Sequence, residues 1–532
     1  MAHGQGMRIA AIDVGSNSIH MIIAQVESDG RFHVLDRAKE MVRLGRGSLT
    51  SGRLSTEAMS AGVRTLAAFH TLADRLHVDR FKAVATSAVR EAANGGEFIQ
   101  RVKEEVGLRV QVIPGREEAR LIYLGVRHAI DLRGAATLVL DVGGGSVEFI
   151  FTDGEAPIAL DSVKLGVARL SEGFLRQDPP SGKQLAELEA HIAHTLDPVL
   201  QPFERHRIGR VVGTSGTLLN LITMAGYLRG DPPDGHLNNF TVSADDLGRI
   251  RRTLVKSDRE GRLRIKGLDA KRADLIVAGA CLFDHVLQRM GAKAVVACTW
   301  SLREGVLLDF LARHARGIAE TEQYGDPRRR SVVRLARHLG ETGEHGSNVA
   351  RLALQLFDQL HEVLRLPAEA REWLDYAAYL HDVGHHIRHQ DHQRHSYYLI
   401  TNGELLGFQR NEVEIIGLVA RYHRKAAPKD GDESYAALTK SERRVVRSLS
   451  AILRIADGLD RSHYAVVRDL TLVQRGDRWL VQLDTRGEDA ELEVWEARRR
   501  VALLEEVLGA RIDFQVLSGP EARPAARTAS AS

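Results

Sequence analysis

The sequence predicts an α/β protein built from two duplicated α/β domains, followed by an all-α region and a small α+β domain. Three observations carry this reading. A length of 532 residues is too great for one hydrophobic core, and about 150 residues per domain predicts three or four domains. Residues 12–22, containing Asp13-Val14-Gly15-Ser16-Asn17-Ser18, return 128 positions later as residues 140–150, containing Asp141-Val142-Gly143-Gly144-Gly145-Ser146. Asp, Val, Gly, Ser and the closing Ile keep register, and a spacing that long indicates domain duplication rather than a solenoid. Past residue 316 strand-like texture gives way to apolar residues at helical spacing, and strands return only near Leu470.

Taken in order, the apolar stretch 9–26 is interrupted by Asp13, Ser16, Asn17, Ser18 and His20. It therefore reads as strand, turn and strand, and it fails as the apolar region of a signal peptide. Helices are expected at 56–76 and 95–106, strands at 81–86 and 108–113. The second copy repeats the scheme with strands at 137–151, 157–163 and 208–213 and helices at 181–203 and 215–226. A helical stretch at 271–290, a strand at 293–299 and a helix at 302–315 close it. Helical periodicity holds from 331 to 459. Strands at 470–473, 479–484 and 492–494, a helix at 496–508 and a strand at 511–517 follow, and the Gly/Pro/Ala/Ser tail from Gly519 reads as disordered. The expected domains are 1–127, 128–315, 316–468 and 469–518, with the tail at 519–532.

Composition excludes several classes. Hydrophobic residues at 44% and charged residues at 27% are globular values. No run of 18 apolar residues offers a membrane span. A net charge of +3, from 73 basic and 70 acidic residues, makes no global case for nucleic-acid binding but allows a local basic track for an anion. Two cysteines, Cys281 and Cys298, cannot form a disulfide framework, and a cytoplasmic protein with reduced thiols is expected.

Both echoed segments place a small-residue turn between two apolar strands. Neither opens a helix, so neither is a Walker A loop or a Rossmann turn. Glycines at 15, 143, 144 and 145 let backbone N–H groups approach an anion, while Ser16, Asn17, Ser18 and Ser146 add donors. One such turn would pass as an ordinary hairpin. Two from duplicated domains, with a third small-residue run at Gly213-Thr214-Ser215-Gly216-Thr217, point to a phosphate gripped from several sides. Asp13 and Asp141 each end an apolar strand, where an unpaired carboxylate is costly. Mg²⁺, which takes one or two carboxylates plus phosphate oxygens and water, would compensate them.

These segments, with Ala85-Thr-Ser-Ala-Val-Arg90-Glu-Ala and Val112-Ile-Pro-Gly-Arg-Glu-Glu-Ala-Arg-Leu-Ile-Tyr-Leu-Gly-Val, resemble the exopolyphosphatase / guanosine pentaphosphate phosphohydrolase family. The resemblance runs in order from about residue 8 to 515. It implies two actin-like (ribonuclease H-like) domains and hydrolysis of the terminal phosphate of inorganic polyphosphate. The alternatives it leaves open are the 5′-terminal phosphate of guanosine pentaphosphate, or a polyphosphate or nucleotide sensor whose chemistry lies elsewhere. It also implies a homodimer. By the same resemblance Glu118 handles the attacking water while Glu117 is a structural neighbour. Glu148 belongs to the active centre with Asp141, and Arg90 neutralises phosphate oxygens. His20 stands where some shorter members carry arginine.

The helical region holds Tyr379-Leu380-His381-Asp382-Val383-Gly384-His385-His386, which resembles the HD-domain phosphohydrolases. That resemblance implies a divalent metal held by His345, His381, Asp382 and Asp457, four N/O ligands that suit Mn²⁺, Fe²⁺, Zn²⁺ or Mg²⁺. Arg421, Arg424, Lys425 and Lys429 flank this core and are expected to guide a long polyanion, each fixed cation offsetting one phosphate.

Overall fold

Residues 9–14 read Ile-Ala-Ala-Ile-Asp-Val, an apolar run of the kind that forms a central strand covered on both faces. They lie in β1 (Met7–Val14), which pairs antiparallel with β2 (Ile19–Val26) through the turn at 15–18. A computed structural model describes residues 7–27, 32–154, 156–204, 206, 208–233, 235–314, 326–340 and 344–517. Strands β3 (Phe32–Glu40), β4 (Arg80–Ala85) and β5 (Val110–Val112) complete a five-stranded sheet in the order β3-β2-β1-β4-β5. The first three strands are antiparallel neighbours, whereas β4 runs parallel to β1 and β5 parallel to β4.

The second sheet contains β6 (Thr137–Val142), β7 (Val147–Thr152), β8 (Pro157–Val163), β9 (Arg210–Thr214), β10 (Thr241–Ser243) and β11 (Ala294–Ala297). Its order is β10-β11-β9-β6-β7-β8. Read from β8, the series β8-β7-β6-β9-β11 repeats the first sheet strand for strand, with the same directions. Only the short edge strand β10, antiparallel to β11, is extra. The register repeats too: Asp13 opposes His20, and Asp141 opposes Glu148. Duplication is thus written in hydrogen-bond direction as well as in residues.

Helices cover these sheets for local reasons. Thr56–Arg75 opens where the Ser55 side chain accepts from the Ala58 N–H, and it buries Met59, Val63, Leu66 and Phe69 at helical spacing. Gly182–Leu200 starts with a capping box between Ser181 and Gln184. The helix Gly115–Ala129, which carries Glu118, meets Leu302–His314 at close range. A Cβ added at Gly305 would stand 1.8 Å from the Leu121 carbonyl oxygen, so only glycine allows this approach. Elements outside the expected set include β3, β10 and the helices Ser87–Glu91, Val167–Phe174 and Ala244–Lys256. The expected strand 137–151 divides into β6 and β7 at the glycine turn.

The chain divides into two units, Met1–Pro327 and Arg328–Ser532. In the second, helices Glu344–Leu364, Ala370–Leu380, His392–Asn402, Arg410–Arg421 and Lys440–Gly458 surround a core that includes Leu356, Leu374, Ile416 and Leu453. Strands β12 (Asp469–Arg475), β13 (Arg478–Asp484) and β14 (Arg511–Val516) form a sheet in that order and add Val481, Leu483 and Phe514 to the same core. The strand expected at 492–494 is instead part of the helix Glu491–Arg500. Leu492 is exposed, while Glu493 and Ala497, four residues apart, are buried on one helical face. A three-residue run cannot separate a period of 2 from one of 3.6. The expected helix 496–508 resolves into the end of that helix and Ala502–Leu508, and the tail from 519 lies outside the described residues.

Candidate functional site

The two echoed turns close identically. The Gly15 N–H donates to the Ser18 carbonyl at 3.1 Å, and the Gly143 N–H donates to the Ser146 carbonyl at 3.0 Å. They also face each other. A Cβ at Gly144 would lie 3.1 Å from the Ser16 Cβ, and one at Gly145 would lie 2.3 Å from the Ser87 Oγ and 2.9 Å from the Ser16 Oγ. An added side chain at Gly145 would force Ser87 or Ser16 to move. Between the turns lies a cleft of about 310 Å³, lined by residues of both, with Asp13, Glu118, Asp141, Ser215 and Gly216. Ser215, at φ 71°, holds a left-handed conformation unusual for a residue with a Cβ. Its hydroxyl donates to the Val142 carbonyl at 3.0 Å.

Four carboxylates gather at this cleft or directly behind it. Asp141 Oδ2 accepts from Thr214 Oγ1 at 2.9 Å and from the Ser301 hydroxyl. Asp13 Oδ1 is shut away from solvent without a hydrogen-bond partner. Burial, reinforced by Glu118 and Asp141, pushes Asp13 up to about 8. Glu118 is buried at 6% exposure, and its Oε2 accepts from Arg90 Nη1 at 2.8 Å. Burial outweighs that arginine and raises Glu118 to about 7, placing a carboxylate poised near neutral pH beside the turns. Glu148 lies behind Asp141, accepts from Ser162 Oγ at 2.8 Å, and is held well above the carboxylate range by burial and by Glu118 and Asp141.

Cations and one histidine complete the lining. Lys39, Arg272 and Arg303 reach the cleft from separate parts of the chain. Burial, with Arg272 beside it, lowers Lys39 to about 8. His20 Nδ1 is 2.7 Å from Arg303 Nη1, and its Nε2 is 2.7 Å from Ser18 Oγ. A guanidinium only donates, so Nδ1 accepts and Nε2 carries the proton, which it gives to the Ser18 oxygen. Burial and Arg303 push His20 down to about 3, keeping it neutral. The Ser18 hydroxyl hydrogen is then free to point at an anion in the cleft.

The residues 22–314 match the Ppx/GppA phosphatase family, and residues 328–498 match Ppx/GppA phosphatase, domain III. The chain belongs to the Ppx/GppA phosphatase family. It is a phosphoric-anhydride hydrolase. A guanosine-5′-triphosphate,3′-diphosphate pyrophosphatase of Vibrio vulnificus (strain YJ016) is 29% identical over 507 residues, 93% of this chain and 97% of its own. An exopolyphosphatase from Cytophaga hutchinsonii, of known structure, is 34% identical with a TM-score of 0.55, over 58% of this chain and 98% of its own. The Aquifex aeolicus member of the Ppx/GppA family is 30% identical with a TM-score of 0.50, over the same 58% and 98%.

Within this Ppx/GppA chain most residues expected to bind phosphate line one cleft: Asp13, Gly15, Ser16, Asn17, Ser18, Gly143, Gly144, Gly145, Ser146, Ser215 and Gly216. Three expected residues stand elsewhere. Gly213 lies in β9, where an added Cβ would meet Leu218 and Ile222, so its lack of a side chain serves helix packing. Arg90 donates through Nη1 to Glu118 and to the Ile113 carbonyl at 2.9 Å and is not among the lining residues. Glu148 sits behind the lining, on β7 opposite Asp141. Glu117 and Glu118 separate as expected: Glu117 pairs with Arg120 at 2.8 Å while Glu118 turns inward. Nothing local in the sequence distinguishes Lys39, Arg303 and Ser301 from solvated polar residues, whereas Arg272 closes a stretch, 249–272, dense in Arg and Lys of the kind that could line a channel for a polyanion.

The second unit of this Ppx/GppA phosphatase holds a separate cluster of groups able to coordinate a divalent metal. His345 Nδ1 is 2.7 Å from Asp460 Oδ2, and its Nε2 is 3.6 Å from Asp457 Oδ1 and 3.9 Å from Asp382 Oδ2. His381 is fully buried, and its Nε2 stands 3.6 Å from both Asp382 Oδ1 and Asp457 Oδ1. Neither Nε2 has a hydrogen-bond partner. Arg500 holds the other oxygen of Asp457. His381 and Asp382 share the end of the helix Ala370–Leu380, and the other two ligands arrive from Glu344–Leu364 and Lys440–Gly458. All four predicted ligands therefore meet. The four predicted track residues line one pocket of about 830 Å³ in this unit, but Arg421 is paired with Asp432 at 2.6 Å and Lys425 with Asp391 at 2.5 Å. Both cysteines are buried and free, and no described helix is long and apolar enough to cross a membrane.

Proposed function

We propose that the first unit removes the terminal phosphoryl group of inorganic polyphosphate, releasing orthophosphate, through domains 1–127 and 128–315. The observation that carries this choice is the lining of the cleft. Two glycine turns, Ser18, Lys39, Arg272 and Arg303 supply donors and positive charge, whereas among the described residues no Phe, Tyr or Trp lines the cleft to stack a base. The turns and cations hold the phosphoryl oxygens. Glu118, buried and aligned by Arg90, accepts a proton from the attacking water. Asp13 and Asp141 would hold Mg²⁺, and the partnerless, solvent-shielded Asp13 Oδ1 fits a cation. Bound there, Mg²⁺ neutralises phosphate charge. Glu148, on β7 opposite Asp141, adds a further buried carboxylate to this acidic group.

Guanosine pentaphosphate is the second reading, favoured by the name of the Vibrio vulnificus relative, whose likeness spans 93% of this chain. For the second unit we propose an HD-type helical domain, 316–468, that binds a divalent metal through His345, His381, Asp382 and Asp457, with a small α+β domain at 469–518. Phosphate release from long polyphosphate and from guanosine pentaphosphate, measured with wild type, Glu118→Gln and His381→Ala, tests both. Loss of polyphosphate hydrolysis in Glu118→Gln alone is expected. Loss in His381→Ala but not in Glu118→Gln would move the chemistry to the second unit.

A further inference from the structure

The glycine carbonyls of the second turn are all held from one side. The N–H groups of Val167 and Ala168 donate to Gly143 and Gly144 at 3.0 and 2.9 Å, and the Gly166 N–H donates to Gly145 at 3.1 Å. These donors open the helix Val167–Phe174, whose first N–H groups have no partner within the helix itself. A Cβ at Gly166 would stand 2.3 Å from the Gly144 carbonyl carbon, so the helix end presses directly on the turn. A trans peptide unit points its C=O and N–H in opposite directions. With the carbonyls turned toward the helix, the N–H groups of Gly144, Gly145 and Ser146 are turned the other way, and these residues line the cleft.

Arg169, in the first turn of that helix, adds a side-chain hold. Its Nε donates to the Gly145 carbonyl at 3.3 Å and its Nη2 to Glu91 Oε2 at 2.7 Å. Glu91 belongs to the other duplicated domain. It ends the helix Ser87–Glu91, and its Oε1 accepts from Ser87 Oγ at 2.7 Å. The same short helix reaches the first turn, where the Ala88 N–H donates to Ser16 Oγ at 3.1 Å, and it carries Arg90, which donates to Glu118. Lys164 also approaches Glu91, at 3.4 Å, but its side chain is 71% exposed against 22% for Arg169. Water screens the lysine pair far more, so the arginine is the partner that matters.

We propose that Glu91 and Arg169 are positioning residues, a strap between the duplicated domains that fixes the second turn's N–H groups toward the terminal phosphoryl group and ties that turn to the helix carrying Arg90. This rests on the cleft reading above and extends it by two residues outside the cleft lining. Arginine suits the task because a planar guanidinium meets two acceptors through different nitrogens in a fixed geometry, which a lysine ammonium does not.

The test is steady-state phosphate release from long polyphosphate by the full chain, comparing wild type with Arg169→Gln, Glu91→Gln and the two together. Loss of a charge-assisted hydrogen bond should lower kcat/KM of Arg169→Gln about tenfold, chiefly through KM. A mere folding defect would remove active protein and lower kcat with KM unchanged. Because both residues act through one contact, the double variant should fall no further than Arg169→Gln alone. Lys164→Gln should behave as wild type. An unchanged KM in Arg169→Gln, losses that multiply in the double variant, or an equal loss in Lys164→Gln would each overturn the strap. Circular dichroism reports the fold, and Arg169→Lys, which keeps the charge without the two-pronged geometry, gives the same KM test if the glutamine variant does not fold. Glu118→Gln, measured alongside, tests the cleft reading separately: wild-type turnover there would remove the base, while the Arg169 result, read on KM, still decides the strap.

Discussion

Replacing Glu118 with Gln separates its chemical role from its structural one. The amide keeps an oxygen for Arg90, which donates to Glu118 at 2.8 Å and to the Ile113 carbonyl at 2.9 Å, so the loop that holds the group should stay in place. What vanishes is the base. Loss of a positioned general base lowers turnover by about 10²–10⁴-fold. Stability should move the other way. Burial raises Glu118 from 4.5 to about 7, which corresponds to roughly 3 kcal/mol against the ionised form. Because the folded value is raised, this group's contribution is fully present below its unfolded value and is lost as pH rises through about 7. A glutamine cannot ionise, so Glu118→Gln should melt at or above the wild-type temperature at pH 8 and show less advantage at pH 5. The assay is phosphate release from long polyphosphate between pH 5.5 and 9, paired with thermal unfolding. Wild-type kcat/KM should rise through about 7, standing roughly tenfold below its plateau one pH unit lower, while the variant stays flat. A variant that keeps wild-type turnover, or keeps the rising limb, would refute the assignment of the base.

Other residues give independent checks. Gly145→Ala drives a Cβ to within 2.3 Å of Ser87 Oγ and should cost about 1–3 kcal/mol by overpacking, with loss of phosphate release, as read by melting and activity. Gly305→Ala places a Cβ 1.8 Å from the Leu121 carbonyl oxygen. It should separate the helix carrying Glu118 from its neighbour, lowering kcat more than it raises KM. Asp13→Asn removes a carboxylate raised to about 8. Mg²⁺ titration of activity should show a requirement at least tenfold higher, while the metal-free variant gains stability relative to wild type above pH 8. His20→Ala breaks the Arg303–His20–Ser18 series and should raise KM for polyphosphate more than it lowers kcat, as steady-state kinetics would show.

Local pattern carried much of this into view before the fold was known. The turns at 15–18 and 143–146 stand out because they recur in register, where either one alone would pass as an ordinary hairpin. Their echo at fixed spacing predicted the second sheet, whose strand directions repeat the first. Misreadings fell where local signal is thin. Leu492-Glu493-Val494 is too short to show a period and proved helical, and Gly213 matched the small-residue pattern yet packs beneath Leu218 and Ile222.

By itself the sequence determined the duplicated α/β plan, the phosphate turns and the His381-Asp382 pair, since each depends on neighbours along the chain. Only tertiary structure decided that Lys39, Arg272 and Arg303 enter one cleft, that Arg90 holds Glu118, and that His392 and His423 join Asp382. Those outcomes depend on residues distant in sequence meeting in space. The ionisation of Asp13 and Glu118 belongs with them, because it is set by the water that packing removes and by the charges it leaves behind.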